Sequence, residues 1–187
     1  MSTSAIPRAN RGPAAAAGNR RALIAAAREV YADGGLNAPF SAVAKRAGVG
    51  QGSLYRHFAD RTALAVAVFE DNIADLEDYI AAPDRTIDDL FDRVVEQAIV
   101  SAALIELVTA DLRDPRVVPL GYRFQAVVSG LVERERAAGR IGAHVETEDV
   151  VMAIGMLGTE LARADPSVRS AVADRATRLF RAAFAPR

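Results

Sequence analysis

Residues 44–58 read AKRAGVGQGSLYRHF, with glycine at 48, 50 and 52. A glycine in a helix interior costs about 1 kcal/mol relative to alanine. In an alanine-rich chain, three at alternate positions must serve a turn. Gly48 follows Ala47 where a chain leaving a helix takes a positive φ. Val49 is an apolar plug between two helices. Gly50 stands at the N-cap of the next helix, a position glycine fills nearly as well as serine. Gly52 falls in the first turn, where a missing side chain suits a partner in close approach. Short helices over about 39–47 and 51–58, joined by such a turn, read as a helix-turn-helix.

Periodicity divides the second of these helices. Leu54 and Phe58 are four apart and belong to a core with Val43, Ala44, Ala47 and Val49. Gln51 and Tyr55 share one outer face, Ser53 and His57 another, and Arg56 points outward. This donor-rich set matches DNA chemistry. Gln pairs with an adenine edge, Ser meets several base edges, and Arg, Tyr and His hold phosphate.

Charge agrees. The net charge is −1, but residues 1–61 carry 9 Lys and Arg against 3 acids, a balance of +6. The remainder carries 14 against 21, a balance of −7. A basic head on an acidic body reads as a polyanion-binding unit on a body that does not bind polyanions.

The flanks read as helices throughout. Asn19 is a candidate cap for a helix over about 20–32, ended by Asp33-Gly34-Gly35. Asp60 caps a helix of some 20 residues ending before Pro83. Further helices are expected over about 86–112, with a candidate break at Ser101, and about 120–138, ended by Gly139. Thr147 is the expected cap of 148–164, and Asp165-Pro166 opens a last helix to about Phe184. No strand pattern or repeat is present. Residues 1–18, rich in Pro, Gly, Ser and Arg, read as a disordered arm, with Arg8 and Arg11 available to a neighbouring DNA groove. The expected division is 1–18 arm, 19–62 DNA-binding domain and 63–187 body.

The chain of 187 residues has no cysteine, which removes disulfides, thiolate metal sites and a cysteine nucleophile. Its two histidines, His57 and His144, do not suggest a zinc site. No cofactor is expected. No run approaches the roughly 20 apolar residues of a membrane span, and the start lacks the apolar core of a signal peptide. A cytoplasmic location is expected. No nucleophile–base pair or phosphate loop supports an enzyme. The rival to DNA binding is a helical interaction protein whose basic head docks an acidic partner.

The run from Phe40 to Leu64, FSAVAKRAGVGQGSLYRHFADRTAL, closely resembles the helix-turn-helix signature of TetR-family transcriptional regulators. The shared pattern is Val43-Ala44, Ala47-Gly48-Val49, Gly52, Leu54-Tyr55, His57-Phe58, Arg61 and Leu64. The resemblance implies an all-helical homodimer of about nine helices. Its first three helices bind DNA, and its fourth leads into a ligand-binding and dimerising body. It implies base contacts from Gln51, Ser53 and the Gly52 backbone, and phosphate contacts from Tyr55, His57 and Arg61, with Arg56 doing either. Two positions depart from the family. Gly50 replaces a common Ser or Thr, and Pro39 replaces the usual Thr cap, leaving Ser41 as its stand-in for phosphate.

In the body, Val150, Val151, Ile154, Leu157 and Leu161, then Val168, Val172, Ala176, Leu179 and Ala183, form apolar faces. They serve either a dimer interface, as the resemblance implies, or an internal helix pair. A pocket among the middle helices would draw on Phe69, Ile73, Leu76, Phe91, Val94, Leu107, Val108, Tyr122, Phe124, Gln125, Met152 and Met156. Tyr122, Gln125 and Glu160 are its polar candidates. The expected effector is an apolar or amphipathic small molecule.

Overall fold

A computed structural model describes residues 13–34, 37–109 and 112–187. The arm arginines Arg8 and Arg11 lie outside the described residues, as do the side chains of Leu107 and Val108. Among the described residues there are eight helices and no strand. They are α1 (Pro13–Gly34), α2 (Phe40–Arg46), α3 (Gln51–His57), α4 (Arg61–Ile80), α5 (Ile87–Thr109), α6 (Val118–Ala137), α7 (Thr147–Arg163) and α8 (Arg169–Phe184). None is long and apolar enough to cross a membrane.

Several boundaries differ from expectation for local reasons. α1 begins at Pro13, so residues 13–18 are helical rather than part of an arm. Proline suits a first helical position, and the four alanines after it are the best helix formers. Asn19 is therefore interior to α1 and caps nothing. α5 runs through Ser101 without a break. The α7 cap is Glu146, not Thr147. Asp149 reaches back to accept from the Glu146 N–H at 2.8 Å. Asp165 folds onto the N–H of Ser167 at 2.9 Å, and that tight turn delays α8 to Arg169. Asp60 does cap α4, accepting from the Ala63 N–H at 2.7 Å.

Two main cores result. The head core joins Leu23, Ile24, Ala27 and Tyr31 of α1 to Val43, Ala44, Leu54 and Phe58, and to Leu64, Ala65 and Val68 of α4. The body core is built around α5, which packs against α4, α6, α7, α8 and α1. Phe91 lies at its centre, stacked on Phe180 and Phe184 of α8 at 5.6 and 6.3 Å. A buried Glu135 on α6 receives the Ile87 N–H at the start of α5 and the Arg140 guanidinium, so its charge is not left unpaired.

α4 belongs to both cores. Several contacts tie it along its length. Arg116, in the α5–α6 connection, pairs with its cap Asp60 at 3.1 Å. Arg28 of α1 donates to Asn72 at 2.9 Å. Arg123 of α6 grips Glu77 with two bonds of 2.9 and 2.6 Å.

Candidate nucleic-acid interface

The turn after α2 forms as the glycine spacing requires. Gly48 has φ +67°, and the Val49 N–H returns to the Ala44 carbonyl at 3.0 Å. Gly50 is extended (φ −68°, ψ 146°), the geometry of an N-cap. A side chain at Gly52 would meet nothing nearer than the Arg56 guanidinium at 3.9 Å, so nothing among the described residues requires glycine there.

With Leu54 and Phe58 fixed in the core, α3 turns Gln51, Gly52, Tyr55 and Arg56 to solvent. Tyr55 is 56% exposed although its ring edge rests on Phe40 at 5.5 Å. That contact orients the ring and leaves the outer side free for a partner. His57 and Ser41 are half-buried beside this face. Lys45, near the C-terminus of α2, is also exposed and was not among the sequence candidates. Arg46, its neighbour, is paired with Glu29 of α1.

Ser53 does not join this surface. It is 7% exposed and faces α1, with Asn19 Nδ2 at 3.5 Å from its hydroxyl. The periodicity placed it on an outer face with His57, but α1 crosses α3 on that side and covers it. Arg61 is half-buried, and its guanidinium donates to the Ala38 carbonyl at 3.0 Å. It thereby anchors the α1–α2 connection.

The body holds a second feature, a cavity of about 560 Å³ between α4, α5, α6 and α7. Phe69, Ile73, Leu76, Val94, Tyr122, Phe124 and Gln125 line it, as the sequence suggested. Three candidates are elsewhere. Phe91 is consumed by the aromatic stack with α8. Met152 and Met156 are 60% and 59% exposed on the outer side of α7. That helix is apolar on two sides. Val150, Ile154, Leu157 and Leu161 fill the inner one, and the methionines take the outer. On α8 the buried stripe is Ala173, Thr177 and Phe184 with the half-buried Phe180, which leaves Leu179 63% exposed. Glu160 is exposed and away from the cavity.

Sequence reasoning missed the cavity's buried amide, Asn72, and its neighbours Gln97 and Thr159. A signal existed: Asn72 stands three residues after Phe69 and four before Leu76, on the apolar stripe of α4. Among the described residues, no group of three or more His, Asp or Glu could hold a metal ion.

Residues 23–68 match the family model described as bacterial regulatory proteins, tetR family. No curated protein matches the chain by sequence. The fold is similar to that of a TetR transcription regulatory protein from Mycobacterium vanbaalenii. Identity is 26%, covering 92% of this chain and 98% of that one, with a TM-score of 0.67. A TetR regulator from Streptomyces coelicolor is similar at 24% identity over 89% and 98%, with a TM-score of 0.67. The regulator FadR from Bacillus subtilis, in complex with stearoyl-CoA, shares the fold at 18% identity over 84% and 97%, with a TM-score of 0.52.

Proposed function

We propose that this chain, which belongs to the TetR family of DNA-binding transcriptional regulators, is a dimeric repressor that a small effector releases from a pseudo-palindromic operator. The observation that carries this reading is the division of labour along α4. One end abuts a basic helix-turn-helix with an exposed Gln-Tyr-Arg face, and the middle lines a mostly apolar cavity.

On this reading α3 lies in the major groove. Gln51 and the Gly52 backbone meet base edges. Tyr55, Arg56, His57 and Arg61 hold phosphates, with Ser41 and Lys45 beside them. Ser53 is left out, because α1 covers it. The DNA-binding unit is the first three helices, and residues 63–187 form the body. Two copies pair through the outer sides of α7 and α8, where Met152, Met156 and Leu179 are exposed. Their recognition helices then reach successive major grooves about 34–36 Å apart. The protein works in the cytoplasm, where the DNA is, and binds its effector without transforming it.

Effector in the cavity tilts α4 and spoils the spacing of the heads. It acts only by favouring the state that does not bind DNA. FadR, crystallised with stearoyl-CoA, is a precedent for a ligand with a long apolar tail in this fold.

The test is selection of purified protein against random-sequence duplexes at about 150 mM salt, where non-specific binding is weak. The expected result is an enriched inverted repeat. Gln51→Ala should relax preference at one position in each half-site. Arg61→Ala should weaken all sequences alike and flatten the salt dependence. No enrichment, or the same uniform loss in both variants, would overturn the assignment.

A further inference from the structure

The cavity is chemically uneven. Its described lining is apolar except for Asn72, Gln97, Tyr122, Gln125 and Thr159, and it carries no charged side chain among those residues. Two of the five are already occupied within the protein. Gln97 Nε2 donates to the Asn72 carbonyl at 2.9 Å, and the Thr159 hydroxyl donates to the Gly155 carbonyl at 2.9 Å. Tyr122 and Gln125 stand exposed at the rim.

Asn72 differs from all of these. It is 6% exposed, and its Oδ1 accepts from the Arg28 guanidinium of α1 at 2.9 Å. Arginine has no acceptor, so this bond fixes which end of the amide faces α1. The other end, Nδ2, is buried and has no hydrogen-bond partner among the described residues. Leaving a buried donor unpaired is unfavourable, and an acceptor brought to it removes that penalty. A carboxylate would gain the same bond, but the described lining carries no charged side chain. The Arg28 guanidinium behind Asn72 is already engaged by its Oδ1 and stands 4.0 Å from the Asp71 carboxylate, so burying a second negative charge there is costly.

We propose that the cavity takes an uncharged, mainly apolar molecule bearing one carbonyl-type acceptor, and that Asn72 Nδ2 is the group that reads the acceptor. The volume of about 560 Å³ lies in the range of small-molecule sites. The inference rests on the body being an effector domain, and it adds the effector's class and the residue that recognises it. Arg28 holds the same amide from the head, so occupancy is felt directly at α1.

Three probes of matched size test it on the full-length protein without DNA: methyl octyl ketone, the alkene in which a methylene group replaces its carbonyl oxygen, and decanoate. Calorimetry should show the ketone binding about tenfold more tightly than the alkene. That preference should vanish in Asn72→Asp, which keeps an oxygen for Arg28 and removes the donor. The Asn72 side-chain amide signal, identified by its loss in that variant, should move with ketone and stay with alkene. Equal binding of ketone and alkene to the unaltered protein would overturn Asn72 as the reader, whatever the variant does. Tighter binding of decanoate would overturn the uncharged class. No binding by any probe would overturn the ligand class as a whole. Operator selection is read separately, so it shows whether the regulator reading falls as well.

Discussion

Gly48 holds φ at +67°, and an added Cβ there would meet nothing within 4 Å. The cost of any side chain is therefore conformational and not steric. Gly48→Ala should destabilise the protein by about 1–2 kcal/mol, as left-handed backbone does for ordinary residues. Gly48→Asn should lose less, because asparagine visits that region more readily. Thermal melts of the two variants check this, and equal losses would point to crowding instead. Gly52 has open surroundings and should tolerate alanine in the absence of DNA, whereas Gly50→Ala should cost some stability because alanine is a poorer N-cap than glycine. Any penalty at Gly52 should appear only in DNA affinity.

At the scale of the elements, helix starts carry much of the acid sensitivity. The Asp89 carboxylate accepts from the Thr86 N–H and hydroxyl, both at 2.9 Å, at the opening of α5. Those bonds, the backbone one first, hold it below the usual carboxylate range. The Ala63 N–H, with Arg116, does the same for Asp60 at the start of α4. Arg116 holds Asp114 down to about 2. In each case the folded chain binds fewer protons than the unfolded chain below the unfolded value of about 3.9. This stability is complete above that value and drains as pH falls through the folded values. The melting temperature should therefore fall progressively below about pH 4, and Asp89→Ala should make that fall shallower. An unchanged acid slope in the variant would assign the sensitivity elsewhere.

For the whole molecule, the apolar surface left over on α7 and α8 and the ties on α4 matter most. Met156→Glu introduces a charge where the outer face of α7 is apolar and should shift the protein from dimer to monomer in sedimentation. Operator affinity should drop by at least a hundredfold, because only one half-site is then engaged at a time. Folding should be intact, since Met156 contributes little to the body core. Arg28→Leu cuts the tie between α1 and Asn72 and leaves the cavity lining in place. With the amide no longer held in one orientation it should weaken effector binding, and at saturating effector it should still reduce the effector's power to release DNA. The measurement is operator affinity with and without effector, and an undiminished ratio would show that the coupling runs through other contacts.

The recognition turn, the outer face of α3, most helix boundaries and the basic head could be read from residue order. Each depends on interactions within about ten residues: glycine conformation, capping, helical spacing and local charge. Ser53 could not be placed, because its burial is imposed by α1, more than thirty residues away. Met152, Met156 and Phe91 could not be assigned for a similar reason. A helix with two apolar sides does not reveal which faces its own chain, and a core phenylalanine looks like a pocket residue until α8 stacks on it. Asn72 was visible as a polar residue on an apolar stripe, yet its pairing with Arg28 arises only when α1 and α4 cross. Short-range physics was thus determined by the sequence alone. Which surplus apolar and polar groups stay unsatisfied, and so remain available to DNA, a second copy or an effector, was decided by the packing of helices distant in the chain.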